Sequence, residues 1–164
     1  MPRGYIASTG GTGIAPVAAV PTTAAHFVLW NGEPSGGRTY TITSVSFTPI
    51  VSAGAAFVAQ LLAHVSASTT PAGTAGFGPE PLDSLASDSR AVALSAVTIS
   101  NSSIWHPVGT SVNGGAATAT IGMGNWQNVR GIYSLRPGGL FSLAVLCSAA
   151  GSATCRCFCT WEEG

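Results

Sequence analysis

An all-β sandwich of short antiparallel strands is the fold that this sequence predicts, and three observations predict it. Ala, Gly, Ser and Thr supply 82 of the 164 residues, a small, hydroxyl-rich mixture with little appetite for helix beyond its alanines. Gly (21) and Pro (10) punctuate the chain throughout without a G-X-Y period, which excludes collagen and calls for many turns. Between them lie short runs rich in Val, Ile, Phe, Tyr and Thr, residues that fit a pleated, half-buried surface. The length suits one domain.

Residues 1–21 hold Gly10-Gly11-Thr12-Gly13 and prolines at 2, 16 and 21. They are expected to form an extended N-terminal arm outside the core, with residues 22–164 as the sandwich domain. Ala24 to Trp30 reads as a buried strand, followed by turn chemistry at Asn31-Gly32 and Gly36-Gly37. In Thr39 to Thr48 the apolar positions Tyr40, Ile42, Val45 and Phe47 alternate with hydroxyls, with one slip of phase. That pattern is a strand. Ala55 to Ala67 fits either a helical face or a strand face, and flanking β runs decide for strand. Residues 68–90 form a long connection with three prolines and four charges, in which Ser84 to Ser89 has room for a helical turn.

Ala91 to Ser100 is a strand, and Ile104 to Pro107 a short one stopped by its proline. Asn113-Gly114-Gly115 is a turn before a thin strand over Ala116 to Gly122, and Val129 to Leu135 leads to a second turn at Arg136 to Gly139. Leu140 to Cys147 and Thr154 to Trp161 are expected to form a closing hairpin around residues 148–153. The sum is about eight strands, the number of a two-sheet jelly roll.

Charge is scarce. Six Arg face six Asp or Glu, Lys is absent, and charged residues make up 7% of the chain, where soluble domains carry roughly 25%. Zero net charge excludes a basic nucleic-acid binder and a polybasic membrane anchor. No signal-peptide core and no run of about 20 apolar residues is present. Twelve charges on a surface of roughly 7,500 Å² are too few to keep a monomer apart from its copies, so a homo-oligomer is expected.

Sites of chemistry are hard to find. Cys155, Cys157 and Cys159 alternate on one strand face, but this spacing is not that of a zinc knuckle. Cys147 and Cys155, across the expected hairpin, are candidates for a disulfide, which leaves Cys157 and Cys159 as free thiols or intersubunit partners. His26, His64 and His106 read as half-buried structural side chains. No G-x-S-x-G elbow or phosphate-loop lysine appears. Glu162 and Glu163 are expected to solvate the chain end. Trp30 and Trp161 read as core plugs, whereas Trp126, in a polar Gly-rich setting, is the candidate exposed contact for a carbohydrate or a partner. No cofactor, metal site or catalytic set is expected.

Two segments carry a resemblance: Thr22 to Gly32 continuing through Ser35 to Ile42, and Arg136 to Leu143 closing on Thr160-Trp161-Glu162-Glu163. Their "LWN-GxxxG" and "PGG…W-E-E" patterns resemble small jelly-roll virion proteins of tailed bacteriophages. The resemblance implies a non-enzymatic decoration (cement) protein. Such a protein is made in the host cytoplasm and seated on the capsid exterior against the major capsid protein lattice, often as a trimer. The competing reading is a tail-tip or fibre module that recognises a host-surface glycan.

Overall fold

The computed structural model describes residues 2–10, 13–51, 57–67, 71–83, 85–99, 105–113, 125–147 and 154–164. These residues form twelve strands and no helix. In chain order they are β1 (Arg3–Ser8), β2 (Ala24–Asn31), β3 (Tyr40–Val51), β4 (Phe57–Ala67), β5 (Thr74–Ala75) and β6 (Phe77–Pro81). There follow β7 (Ala91–Thr98), β8 (His106–Asn113), β9 (Asn125–Asn128), β10 (Ser134–Leu135), β11 (Gly139–Cys147) and β12 (Thr154–Glu163).

The strands make two antiparallel sheets, one ordered β10-β3-β12-β1-β6 with β9 also on β3, the other β5-β7-β2-β11-β4-β8. Alternation along each strand sends one set of side chains into the space between the sheets. Phe27, Leu29, Leu61, Phe141, Leu143 and Val145 come from the second sheet, and Tyr5, Ile42, Val45, Phe47 and Trp161 from the first. The phase slip in β3 has a local cause. Thr160 pairs with Ser44 and Trp161 with Ile42, so Thr43 is an extra residue opposite β12. This β-bulge lets both Ile42 and Val45 point inward.

Pairing is nested. β1 pairs with β12, β2 with β11, β3 with β9 and β10, and β4 with β8. β5 to β7 are inserted between β4 and β8 and extend the edges beside β1 and β2. Residues 74–81 thus pass from one sheet edge to the other. Gly76 and Gly78 lie against backbone oxygens of β1 so closely that a Cβ would meet Ser8 O at 2.5 Å and Ile6 O at 2.6 Å.

A second apolar layer covers the far side of the second sheet. Val28, Leu62, Leu94, Leu140 and Ala144 are buried there beneath Ile99 and Trp105, and the Trp105 indole donates to Pro21 O at 2.7 Å.

Several expectations need correction. Arg3–Ser8 is no arm: it is a strand between β12 and β6, with Tyr5 fully buried. Beyond it, Ile14 bridges to Cys155 and Val17 to Leu146, strapping the two sheets together. β11 and β12 are not a hairpin but lie in opposite sheets. Pro107 does not stop its strand, because among the described residues β8 pairs only with β4 and the register shifts beside it, the edge-and-bulge setting that tolerates proline. The 68–90 connection contains β5 and β6, and no helical turn forms among its described residues. The thin strand over 116–122 and the turn over 148–153 fall outside the described residues.

Candidate binding face

On the outer side of the first sheet, register creates a row of alternating residue types. Phe77 on β6 faces Ser8 on β1, Ser8 faces Phe158 on β12, Phe158 faces Ser46 on β3, and Ser46 faces Trp126 on β9. Directly opposed residues share a face. That face is the outer one, because Ala7, Val45, Phe47, Cys157 and Cys159, the chain neighbours of these residues, all point into the core. Phe77 and Trp126 at the two ends are 60% and 55% exposed, and Phe158 between them is half-buried.

Beside this row runs a second one, Ile6, Thr160, Ser44 and Asn128. Thr160 exchanges hydroxyl hydrogen bonds with Thr43 (2.7 Å) and Ser44. Beyond it, Arg130 grips Glu162 with both carboxylate oxygens in reach, at 2.9 and 2.7 Å. Trp126, Leu82, Ser44, Asn128 and Arg130 line a shallow groove of about 290 Å³ across this corner.

A second group of ion pairs gathers at one end of the sandwich. Arg3 holds Asp83 through two nitrogens (2.8 and 2.9 Å) and also Asp88 (2.8 Å), whose carboxylate accepts the Tyr5 hydroxyl. Arg38 reaches Glu33 at 2.8 Å and Glu163 at 3.0 Å. The Arg3 guanidinium holds the Asp83 carboxyl below the usual carboxylate range. Hydrogen bonding from Tyr5, with Arg38 nearby, does the same for Asp88. Glu163, expected to solvate the chain end, is buried instead: it also accepts the Ser89 hydroxyl and the Trp161 indole N–H, the latter at 3.1 Å. The alternation of β12 could have placed it, since Glu163 has the parity of Cys157, Cys159 and Trp161.

The structure places the sequence-predicted residues as follows. Cys147, Cys155, Cys157 and Cys159 are all buried free thiols in the layer between the sheets. Cys147 sits on β11 and Cys155 on β12, so the cross-strand geometry assumed for their disulfide does not exist. Cys157 and Cys159 have no exposed surface through which to meet another subunit. Burial pushes the Cys159 thiol up, and a hydrogen bond with Cys155 together with burial does so for Cys157. Among the described residues no cluster of His, Cys, Asp or Glu is arranged to hold a metal ion.

His26 is tied into the fold: its Nδ1 accepts the Val145 N–H at 2.7 Å, and burial lowers its pKa to about 4. His64 lies under the Trp105 ring, 5.6 Å between centroids. Trp161 stacks on Tyr5 at 5.7 Å in the core. Trp30 is only partly buried, on the opposite layer. Trp126 is exposed; what sequence reasoning missed is the company it keeps, because Phe77 and Phe158 come beside it only through strand register. Comparison with family models, curated proteins and solved structures gives no match for this chain.

Proposed function

We propose that this chain is a non-enzymatic structural subunit of a bacteriophage virion, a jelly roll that binds and stabilises the capsid exterior as an oligomeric decoration (cement) protein. The nested pairing supports the jelly-roll reading. Taken without the β5–β7 insertion, the first four strands pair in reverse order with those that follow, as in the eight-stranded double Greek key common in viral capsid domains.

The observation that carries the functional reading is the state of the charges. At least nine of the twelve charged side chains are engaged in ion pairs among the described residues. A surface of 7837 Å² is left with almost no free charge to oppose association. Such a subunit suits burial among companions, here further copies and the major capsid protein lattice, over contacts of about 1,200–2,000 Å² or more.

Light scattering on the eluting protein, with and without reductant, tests this reading. A trimer is expected in both conditions, and hundreds of copies per purified particle. A monomer at every concentration overturns it. The second reading, a tail-tip or fibre module for a host-surface glycan, is favoured by one observation, the exposure of Trp126; a dozen or fewer copies per particle would support it instead.

A further inference from the structure

We propose that the row formed by Phe77, Phe158 and Trp126 is a binding platform for a single chain of a neutral β-1,4-linked glycan. The inference does not depend on the shell role, which concerns oligomeric state and copy number. It deepens the glycan reading by naming the ligand and the residues.

Spacing is the first argument. The three aromatic residues stand on alternate strands of five, with Ser8 and Ser46 between them. Neighbouring strands lie 4.7–4.9 Å apart, so the backbone positions that carry successive rings are roughly 9.6 Å apart and the row of positions is about 19 Å long. One ring interval is about the length of two β-1,4-linked pyranose units in extended form, so three rings meet every second sugar of the same chain. A pyranose ring with equatorial hydroxyls offers axial C–H groups to an aromatic face, whose quadrupole is negative.

Charge is the second argument. The face carries Glu80 and Arg156, one on each side of the row, and the closed Arg130–Glu162 pair, for no net charge. Nothing there recruits a polyanion, whereas a face of zero net charge matches an uncharged polymer. Sheet twist is the third. Strands rotate by about 20–25° from one to the next, so successive rings are turned by roughly 45°. That geometry follows a single twisting chain and cannot lie flat on a crystalline surface.

Calorimetric titration with cellobiose, cellohexaose and chitohexaose tests the platform and tells a glucose from an N-acetylglucosamine chain. Binding of at least one hexamer is expected at an affinity tenfold or more above that of the disaccharide, with swollen cellulose retained better than crystalline. Trp126→Ala and Phe77→Ala each weaken hexamer binding at least tenfold, while Trp126→Tyr keeps most of it. Both alanine variants replace exposed side chains, and an unchanged thermal midpoint verifies that they fold. The proposal is overturned if neither hexamer binds, if both alanine variants bind as wild type does, or if a heparin fragment of equal length binds more tightly. It is also overturned if the alanine variants change the oligomeric state of a protein that binds no glycan, which would make the row a contact between copies.

Discussion

Cys155, Cys157 and Cys159 occupy alternate positions of β12 and all face inward, where a thiol acts as a small apolar side chain with a weak donor. The Cys157 thiol is pushed up by its hydrogen bond with Cys155 together with burial, and the Cys159 thiol by burial, which makes both inert, because the thiolate is the reactive form. A thiol reagent should leave the native protein unlabelled and titrate four groups once denaturant is added; rapid labelling of the native state would contradict the placement. Cys159→Ser puts a hydroxyl into that layer and should lower the unfolding free energy by about 1–3 kcal/mol. His26 gives a pH effect whose sign is set by its lowered pKa. The neutral ring is the form that accepts the Val145 N–H, so its contribution is complete above 6.5 and is lost as pH falls towards about 4. Stability should drop by roughly 3 kcal/mol across that window, as followed by urea titration, and His26→Gln should flatten most of the dependence. At this scale the sequence tells which side chains are apolar but not which polar ones are captured. Glu163 stands one residue from the chain end, where solvation is the natural expectation, and is buried because Arg38, Ser89 and Trp161 converge on it.

β1 illustrates what a strand needs from its surroundings. Six residues between Pro2 and a glycine run carry little local preference, so nothing in Arg3–Ser8 alone distinguishes a strand from a tail. The strand exists because β12 and β6 supply partners on both sides, and because Arg3 ties the 83–88 segment across its end. Asp83 and Asp88 are held below their ordinary 3.8. Their contribution is therefore intact above that value and lost as pH falls through the lower folded values. Pepsin should cut near the exposed Leu82 and Leu85 only well below pH 3.8, whereas Arg3→Ala should be cut across the enzyme's whole acid range. Cutting that does not change with Arg3→Ala would show that the segment is held by something else. β3, in contrast, was readable down to its bulge, because the phase slip between Ile42 and Val45 is written in the residues themselves. The β11–β12 hairpin was misread for the opposite reason. A short gap between two apolar strands favours a hairpin, and only the pairing preferences of β2, β4, β1 and β3 decide that the chain crosses to the other sheet.

At the level of the molecule, composition is enough for the all-β class and for the scarcity of charge, while the order of strands is not local information. Each of the first four strands finds its partner in the last part of the chain, a topology dominated by contacts of long sequence separation. Folding should accordingly be slow for this size, in milliseconds to seconds after dilution from denaturant, and unfolding should be a single transition with coincident fluorescence and circular-dichroism curves. Separate transitions for the two sheets would contradict the shared core that Phe27, Phe47, Phe141 and Trp161 build between them. The same nesting bears on how the chain is made. Asn31 closes β2 and Gly139 opens its partner β11, and translation covers that interval in roughly 5–20 seconds at 5–20 residues per second. For that time the edge of β2 that meets β11, in a nascent segment rich in β-formers and with few charges to keep ribosomes' products apart, waits outside the exit tunnel for a mate not yet synthesised, which makes it a natural client for a holding chaperone.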